Sequence, residues 1–174
     1  DTHALSEPAF CSAVEVLVAN GVNIIVQQDR GYTPTPVISH AILQYNKGKV
    51  DQLADGAVIT PSHNPPEDGG FKYNGTHGGP ADTTVTGWIQ QRANALLLAN
   101  LVGVKRMAFA QAIESPLVLS KNLALDYVDD LGSIIDLAAI SQAKIKIGVD
   151  PLGGSGIYYW ALIAEKYHLD IELV

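Results

Sequence analysis

The sequence predicts an α/β fold, a mixed sheet sandwiched by helices, and three observations lead there. Short β-branched runs at 22–26, 56–60 and 145–149 read as buried strands. Between them, apolar residues recur at spacings of three and four, the period of a helix face. Gly and Pro punctuate the joints between the two patterns. Composition permits such a fold: 47% of the 174 residues are hydrophobic, enough for a buried core and too many for wholesale disorder.

Each element follows from local chemistry. Ser6 stands as the expected N-cap of a first helix, with Pro8 in the first turn and Gly21 as the stop. Residues 22–26 form the first strand. Gly31-Tyr32-Thr33-Pro34-Thr35-Pro36 is a stiff loop, because each proline fixes its own φ and keeps its predecessor out of the helical region. Helical spacing resumes over 37–45, and 56–60 is the second strand. It runs into a long polar loop, after which Asp82 or Thr84 can cap a helix ending near Gly103. Residues 108–122 lose periodicity and read as a linker. A helix over 123–140, a strand over 145–149, the turn Gly153-Gly154-Ser155-Gly156, a helix over 157–167 and a strand over 169–174 complete the chain.

The charge pattern excludes several functions. Charged residues are 17% of the chain, against roughly 25% in an average soluble domain. Eleven Lys and Arg against 18 Asp and Glu give a net charge of −7, and Lys105-Arg106 is the only adjacent basic pair. Nucleic acid binding, which needs a clustered basic footprint, is excluded. No apolar run approaches the ~18 residues of a membrane-spanning helix, and the N-terminal residues lack the order of a secretory signal. A cytoplasmic protein is expected. Cys11, the only cysteine, is expected to be a small core residue. The first residue is not Met and the last residues are an apolar strand, so a fragment of a longer polypeptide is expected.

The segment with chemical content is Thr60-Pro61-Ser62-His63-Asn64-Pro65-Pro66-Glu67-Asp68-Gly69-Gly70-Phe71-Lys72-Tyr73-Asn74. A strand delivers Ser62 at its C-terminal end, where α/β sheets place ligand chemistry. Three prolines stiffen the loop, so little entropy remains to be lost in presenting the serine. His63 adjoins it, and Lys72 follows beyond two glycines that let the chain turn back. A hydroxyl with cationic neighbours suits phosphoryl transfer. The same residues fit an ordinary hydrogen-bonded turn on spacing alone. A hydrolase triad fits poorly, because Ser62 lies outside a Gly-x-Ser-x-Gly elbow.

These motifs resemble the active-site loop of the α-D-phosphohexomutase superfamily. The resemblance extends to Asp1-Thr2-His3-Ala4-Leu5-Ser6-Glu7-Pro8-Ala9, to the Gly31–Pro36 loop, to Gly78-Gly79-Pro80-Ala81-Asp82 and to Asp150-Pro151-Leu152-Gly153-Gly154-Ser155-Gly156. It implies domain 1 of that superfamily over 1–115 and an incomplete second domain over 116–174. It also implies an enzyme that interconverts glucose 1-phosphate and glucose 6-phosphate through a phosphoserine, with glucose 1,6-bisphosphate as the activating intermediate. On that resemblance Ser62 is the phosphoserine and its phosphoryl oxygen a ligand of Mg2+. His63 completes the site beside it, and Lys72 is a general acid/base or charge stabiliser. Thr33, Thr35 and Asn64 are candidates for the substrate cleft.

The family's metal carboxylates form an Asp-x-Asp-x-Asp run, and this sequence has none. The remaining metal ligands, and the sugar- and phosphate-binding domains, are therefore expected outside these residues, and the 174 residues alone are expected to be inactive. A relative acting on mannose or glucosamine phosphate, and a non-catalytic phosphosugar-binding module, are the alternatives. Gly153–Gly156 reads as tight strand-to-helix packing, and His3, His40, His77 and His168 receive no role.

Overall fold

An apolar stripe and a glycine stop define the first helix, α1 (Ser6–Ala19). Val14 and Val18 on that stripe are buried. Gly21, at φ +76°, ends the helix: its N–H reaches the Val18 carbonyl and the Val22 N–H the Leu17 carbonyl, which satisfies two orphan acceptors. Ser6 is not the cap. It is the first helical residue, buried with its hydroxyl unpartnered, and Leu5 caps without a side-chain bond.

The computed structural model describes residues 1–174. After α1 come β1 (Ile24–Gln27), α2 (Thr35–Asn46), β2 (Gly56–Ile59), β3 (Phe71–Asn74) and α3 (Thr83–Leu98). They are followed by α4 (Phe109–Ala112), β4 (Val118–Lys121), α5 (Leu123–Asp130), α6 (Leu137–Ala143), β5 (Lys146–Val149), α7 (Ile157–Tyr167) and β6 (Asp170–Leu173). Helix α2 starts two residues before the expected 37. Pro34 supplies an extended cap conformation, and Pro36 in the first turn loses no helical hydrogen bond. Asp82 caps α3, accepting from the Thr84 and Val85 N–H groups at 2.8 and 3.0 Å.

Three expectations change. The stretch 108–122 is not a bare linker but carries α4, a single helical turn too short to show a period, and β4, whose Ser120 and Lys121 break the apolar run that marks β1 and β2. The helix expected over 123–140 is two helices, split by a 3-10 turn at Leu131–Ser133. Gly132 weakens the helix there, and Asp136 restarts it by capping the Ala139 N–H. Residues 71–74, expected within the loop, form β3.

The architecture is mixed α/β, as expected, with the strands in three two-stranded ladders. β1 pairs parallel with β4, β2 antiparallel with β3, and β5 parallel with β6 across the α7 connection. Two apolar clusters hold the layers. One joins Val14 and Val18 of α1 to Ala112 of α4. The other joins Val37 of α2 to Leu123 and Val128 of α5 and Tyr159 of α7. The Tyr159 hydroxyl donates to the Tyr32 carbonyl at 3.0 Å, which ties α7 to the proline loop before α2. Elements on the two sides of residue 115 thus meet in both the β1–β4 ladder and the second cluster.

Candidate functional site

The β2–β3 hairpin builds the site. Its ladder continues one step beyond the paired Ile59 and Phe71, because the Thr60 N–H donates to the Gly70 carbonyl at 2.9 Å. Gly70 must lack a side chain here: a Cβ would lie 2.9 Å from the Pro61 Cα and inside the shell of the Thr60 carbonyl. The chain between Thr60 and Gly70 is then forced into a closed loop. An Asp68 N–H bond to the Pro65 carbonyl at 3.0 Å makes its turn.

Ser62 sits at the start of that loop, exposed, with φ +68°. A left-handed conformation is uncommon for serine and needs support from its surroundings. Part of that support is the Thr60 hydroxyl, which accepts the Ser62 N–H at 2.9 Å. The Ser62 hydroxyl lies 3.5 Å from Nδ1 of exposed His63, beyond the usual reach of an O–H hydrogen bond. The ring therefore stands beside the hydroxyl without being set to take its proton.

Lys72 lies on β3 opposite Val58. Directly paired residues of an antiparallel ladder share a face, so Lys72 is on the face that carries Thr60. It is exposed, forms no ion pair and makes no hydrogen bond to Ser62. Asn64, expected in the cleft, uses its groups internally. Its side-chain Nδ2 donates to Asp68 at 3.2 Å and its carbonyl accepts from His3 Nε2 at 2.9 Å. Thr33 is half-buried and Thr35 exposed at the first turn of α2, and neither hydroxyl bonds to the Ser62 loop. The structure thus brings Ser62 and His63 together, places Lys72 on the adjoining strand, and leaves the two threonines on a separate segment, Thr33 in the proline loop and Thr35 opening α2.

Sequence reasoning missed the groups beneath the loop. Asp1 and His3 received no role, yet residues 1–5 strap across it. Ala4 N–H donates to the Pro66 carbonyl at 2.9 Å, and Leu5 packs against Gly69. His3 Nδ1 is 2.9 Å from Asp1 Oδ2, and the same oxygen accepts from the Thr60 hydroxyl. Some 60 residues of chain separate the partners, so no local spacing signals them. On the other side of the hairpin, Asp55 accepts from the Tyr73 hydroxyl at 2.6 Å. That bond, with burial, pushes the phenol up to about 12.

Cys11 is half-buried rather than a core residue, with its sulfur 3.7 Å from Arg30 Nη2. Gly153–Gly156 makes the turn expected of it: Asp150 accepts the Leu152 N–H at 2.8 Å and Gly154 N–H closes on Pro151 at 2.8 Å. No three His, Cys, Asp or Glu side chains converge to hold a metal ion. The residues present do not by themselves form the oxygen cage that Mg2+ requires.

Fold and loop together define an α/β domain that presents one serine hydroxyl at the end of a strand. The model of phosphoglucomutase/phosphomannomutase alpha/beta/alpha domain I matches residues 1–99, and the chain belongs to that family. The phosphoglucomutase of Komagataeibacter xylinus is 51% identical over 174 residues, 100% of this chain and 31% of the relative. The cytoplasmic phosphoglucomutase of Mesembryanthemum crystallinum is 36% identical over 100 residues, 55% of this chain and 17% of the relative. The chain therefore spans less than a third of the length of these relatives. Among solved structures, the open form of pp63/parafusin, a phosphoglucomutase from Paramecium, shares the fold with a TM-score of 0.78. Its identity is 21%, over 100% of this chain and 34% of that one.

Proposed function

We propose that this chain carries the phosphoserine region of a cytoplasmic phosphoglucomutase, with Ser62 as the phosphoryl carrier. The observation that carries the reading is Ser62 itself: exposed, left-handed and held at the end of β2 by its N–H, which donates to the Thr60 hydroxyl. The 51% identity to the K. xylinus enzyme supports glucose phosphates as substrates.

In the proposed cycle a hydroxyl oxygen of glucose 1-phosphate attacks the phosphorus on Ser62. The new P–O bond forms as the P–Oγ bond breaks, and the sugar proton leaves with solvent or a base. The product is glucose 1,6-bisphosphate; in the return step Oγ gives up its proton and bonds to the 1-phosphoryl phosphorus as the P–O1 bond breaks, O1 takes up a proton, and glucose 6-phosphate is left. A phosphate monoester hydrolyses extremely slowly without catalysis, so the group can wait on the serine between turnovers. His63 beside the hydroxyl, and Lys72 as acid/base or charge stabiliser, supply donors where negative charge gathers. Thr33 and Thr35, on the separate segment that opens α2, would shape the cleft once substrate binds. Ser62's phosphoryl oxygen would be one position of a Mg2+ ion, and the others would come from groups outside residues 1–174.

Intact and peptide mass of the full-length protein tests the assignment. Phosphate on the Ser62 peptide, lost in Ser62→Ala together with mutase activity, is the expected outcome; full activity in Ser62→Ala rejects it. Lys72→Met is expected to lower kcat ~100-fold, the scale of a lost acid/base group. Residues 1–174 prepared alone are expected not to interconvert glucose phosphates, and measurable turnover in a coupled assay would contradict this.

A further inference from the structure

We propose that Asp1, His3 and Thr60 are positioning residues, a relay of hydrogen bonds that sets the backbone of Ser62 for phosphoryl transfer. The proposal rests on the reading of Ser62 as the carrier. Its origin is the geometry around the loop. Ser62 N–H donates to the Thr60 hydroxyl at 2.9 Å, the Thr60 hydroxyl donates to Asp1 Oδ2, and His3 Nδ1 lies 2.9 Å from that same oxygen. His3 Nε2 then reaches the Asn64 carbonyl at 2.9 Å. The relay leaves the loop just before Ser62 and re-enters it two residues after.

Donor chemistry fixes its direction. A carboxylate only accepts, so the single Thr60 proton points to Asp1 and the oxygen's lone pairs face the Ser62 N–H. Both His3 nitrogens face acceptors, so the ring fills both bonds only while it carries both ring protons. Thr60 is 8% exposed, and the His3 and Asp1 side chains 12% and 11%, which withholds much of the competing water.

The strap also has anchors that do not involve these groups. The Ala4–Pro66 backbone bond and the Leu5–Gly69 contact already dock it. What the polar groups add is control of the peptide before Ser62 and the peptide after Asn64. A serine at φ +68° persists only where its neighbours over-determine it. With that backbone fixed, Oγ has three staggered directions from which to meet a phosphoryl group.

The test uses the full-length protein, with glucose 1-phosphate as substrate and glucose 1,6-bisphosphate as activator. Thr60→Val keeps the shape and removes the hydroxyl. It is expected to lower kcat roughly 10- to 100-fold with KM within about twofold, the signature of a misplaced reacting group. Amide exchange at Ser62, read on dephosphorylated protein, is expected to speed up by about tenfold as the bond is lost. Thr60→Ser restores the hydroxyl and is expected to recover both, and His3→Gln, which cannot donate on both sides, moves both in the direction of Thr60→Val. Thermal melts identify any variant that has failed to fold, and the remaining variants then decide. Wild-type kcat in folded Thr60→Val overturns the proposal, as does a Thr60→Ser that loses as much as Thr60→Val. The exchange readout needs no phosphate on Ser62. Failure of the carrier assignment, seen as activity in Ser62→Ala, is therefore distinguishable from failure of the relay.

Discussion

Two glycines show how differently one residue type is used. At Gly70 a Cβ would press on the Thr60–Pro61 backbone, where neither side can give. Gly70→Ala is expected to destabilise by about 1–3 kcal/mol, the cost of overpacking, and to displace the support beneath Ser62. A lower urea midpoint together with less phosphate on Ser62 checks this. Gly87, inside α3, has open space where a Cβ would go. Gly87→Ala is expected to raise stability by about 0.5–1 kcal/mol, since glycine loses more backbone entropy in a helix than alanine does. The same scale explains which candidate-site residues stand out in the sequence. Ser62, His63 and Lys72 lie in one run of Pro and Gly whose composition already signals a presented loop. Asp1 and His3 look like ordinary polar residues until folding brings them to Thr60 and Asn64, about 60 positions away. Asn64, expected in the cleft, sends its side chain to Asp68 rather than outward.

Among the elements, helix ends were legible where one residue writes them. Asp82 caps α3 and Gly21 ends α1 as their residue types dictate. The pieces α4, β3 and β4 were not: α4 is about one helical turn, and β3 (Phe71-Lys72-Tyr73-Asn74) and β4 (Val118-Leu119-Ser120-Lys121) lack the continuous apolar run that marks β1 and β2, so they take their form from a partner. The α2–α5 contact adds a testable pair. Asp130 on α5 faces His40 on α2 at 3.0 Å, and Gln44 Nε2 donates to the same carboxyl oxygen at 2.9 Å. The His40 hydrogen bond holds the Asp130 carboxyl below its ordinary value of 3.8. A depressed carboxyl binds fewer protons folded than unfolded. Its contribution is therefore present above the ordinary value and is lost as pH falls through the folded one. His40→Phe is expected to bring the Asp130 titration back up, followed by the carboxyl carbon shift in NMR. The acid-side loss of stability should become shallower in that variant than in wild type.

At the scale of the whole molecule, the α/β class was legible from alternating patterns, whereas strand pairing was not. Pairing is a non-local choice, and here it yields three separate ladders, of which β1–β4 joins residues nearly a hundred positions apart. This bears on the proposed division into 1–115 and 116–174, which falls in the turn between α4 and β4. Four cross-strand residue pairs span that line in the β1–β4 ladder. Val37 on one side is 0% exposed against Val128 at 1% and Leu123 and Tyr159 at 5% on the other. Burying a side chain of this kind contributes roughly 1.5–3 kcal/mol, so the cluster alone offers a substantial hold. The Tyr159 hydroxyl bond to Tyr32 and the His40–Asp130 pair add directional contacts across the same line. The two regions are thus units in contact rather than beads on a linker. A full-length chain carrying an engineered protease site between residues 115 and 116 should, once cut, still elute as one species in native size exclusion. It should separate only in denaturant, and Tyr159→Ala should lower the denaturant needed. Two species in native buffer after cutting would show that the ladder and the cluster do not hold the line.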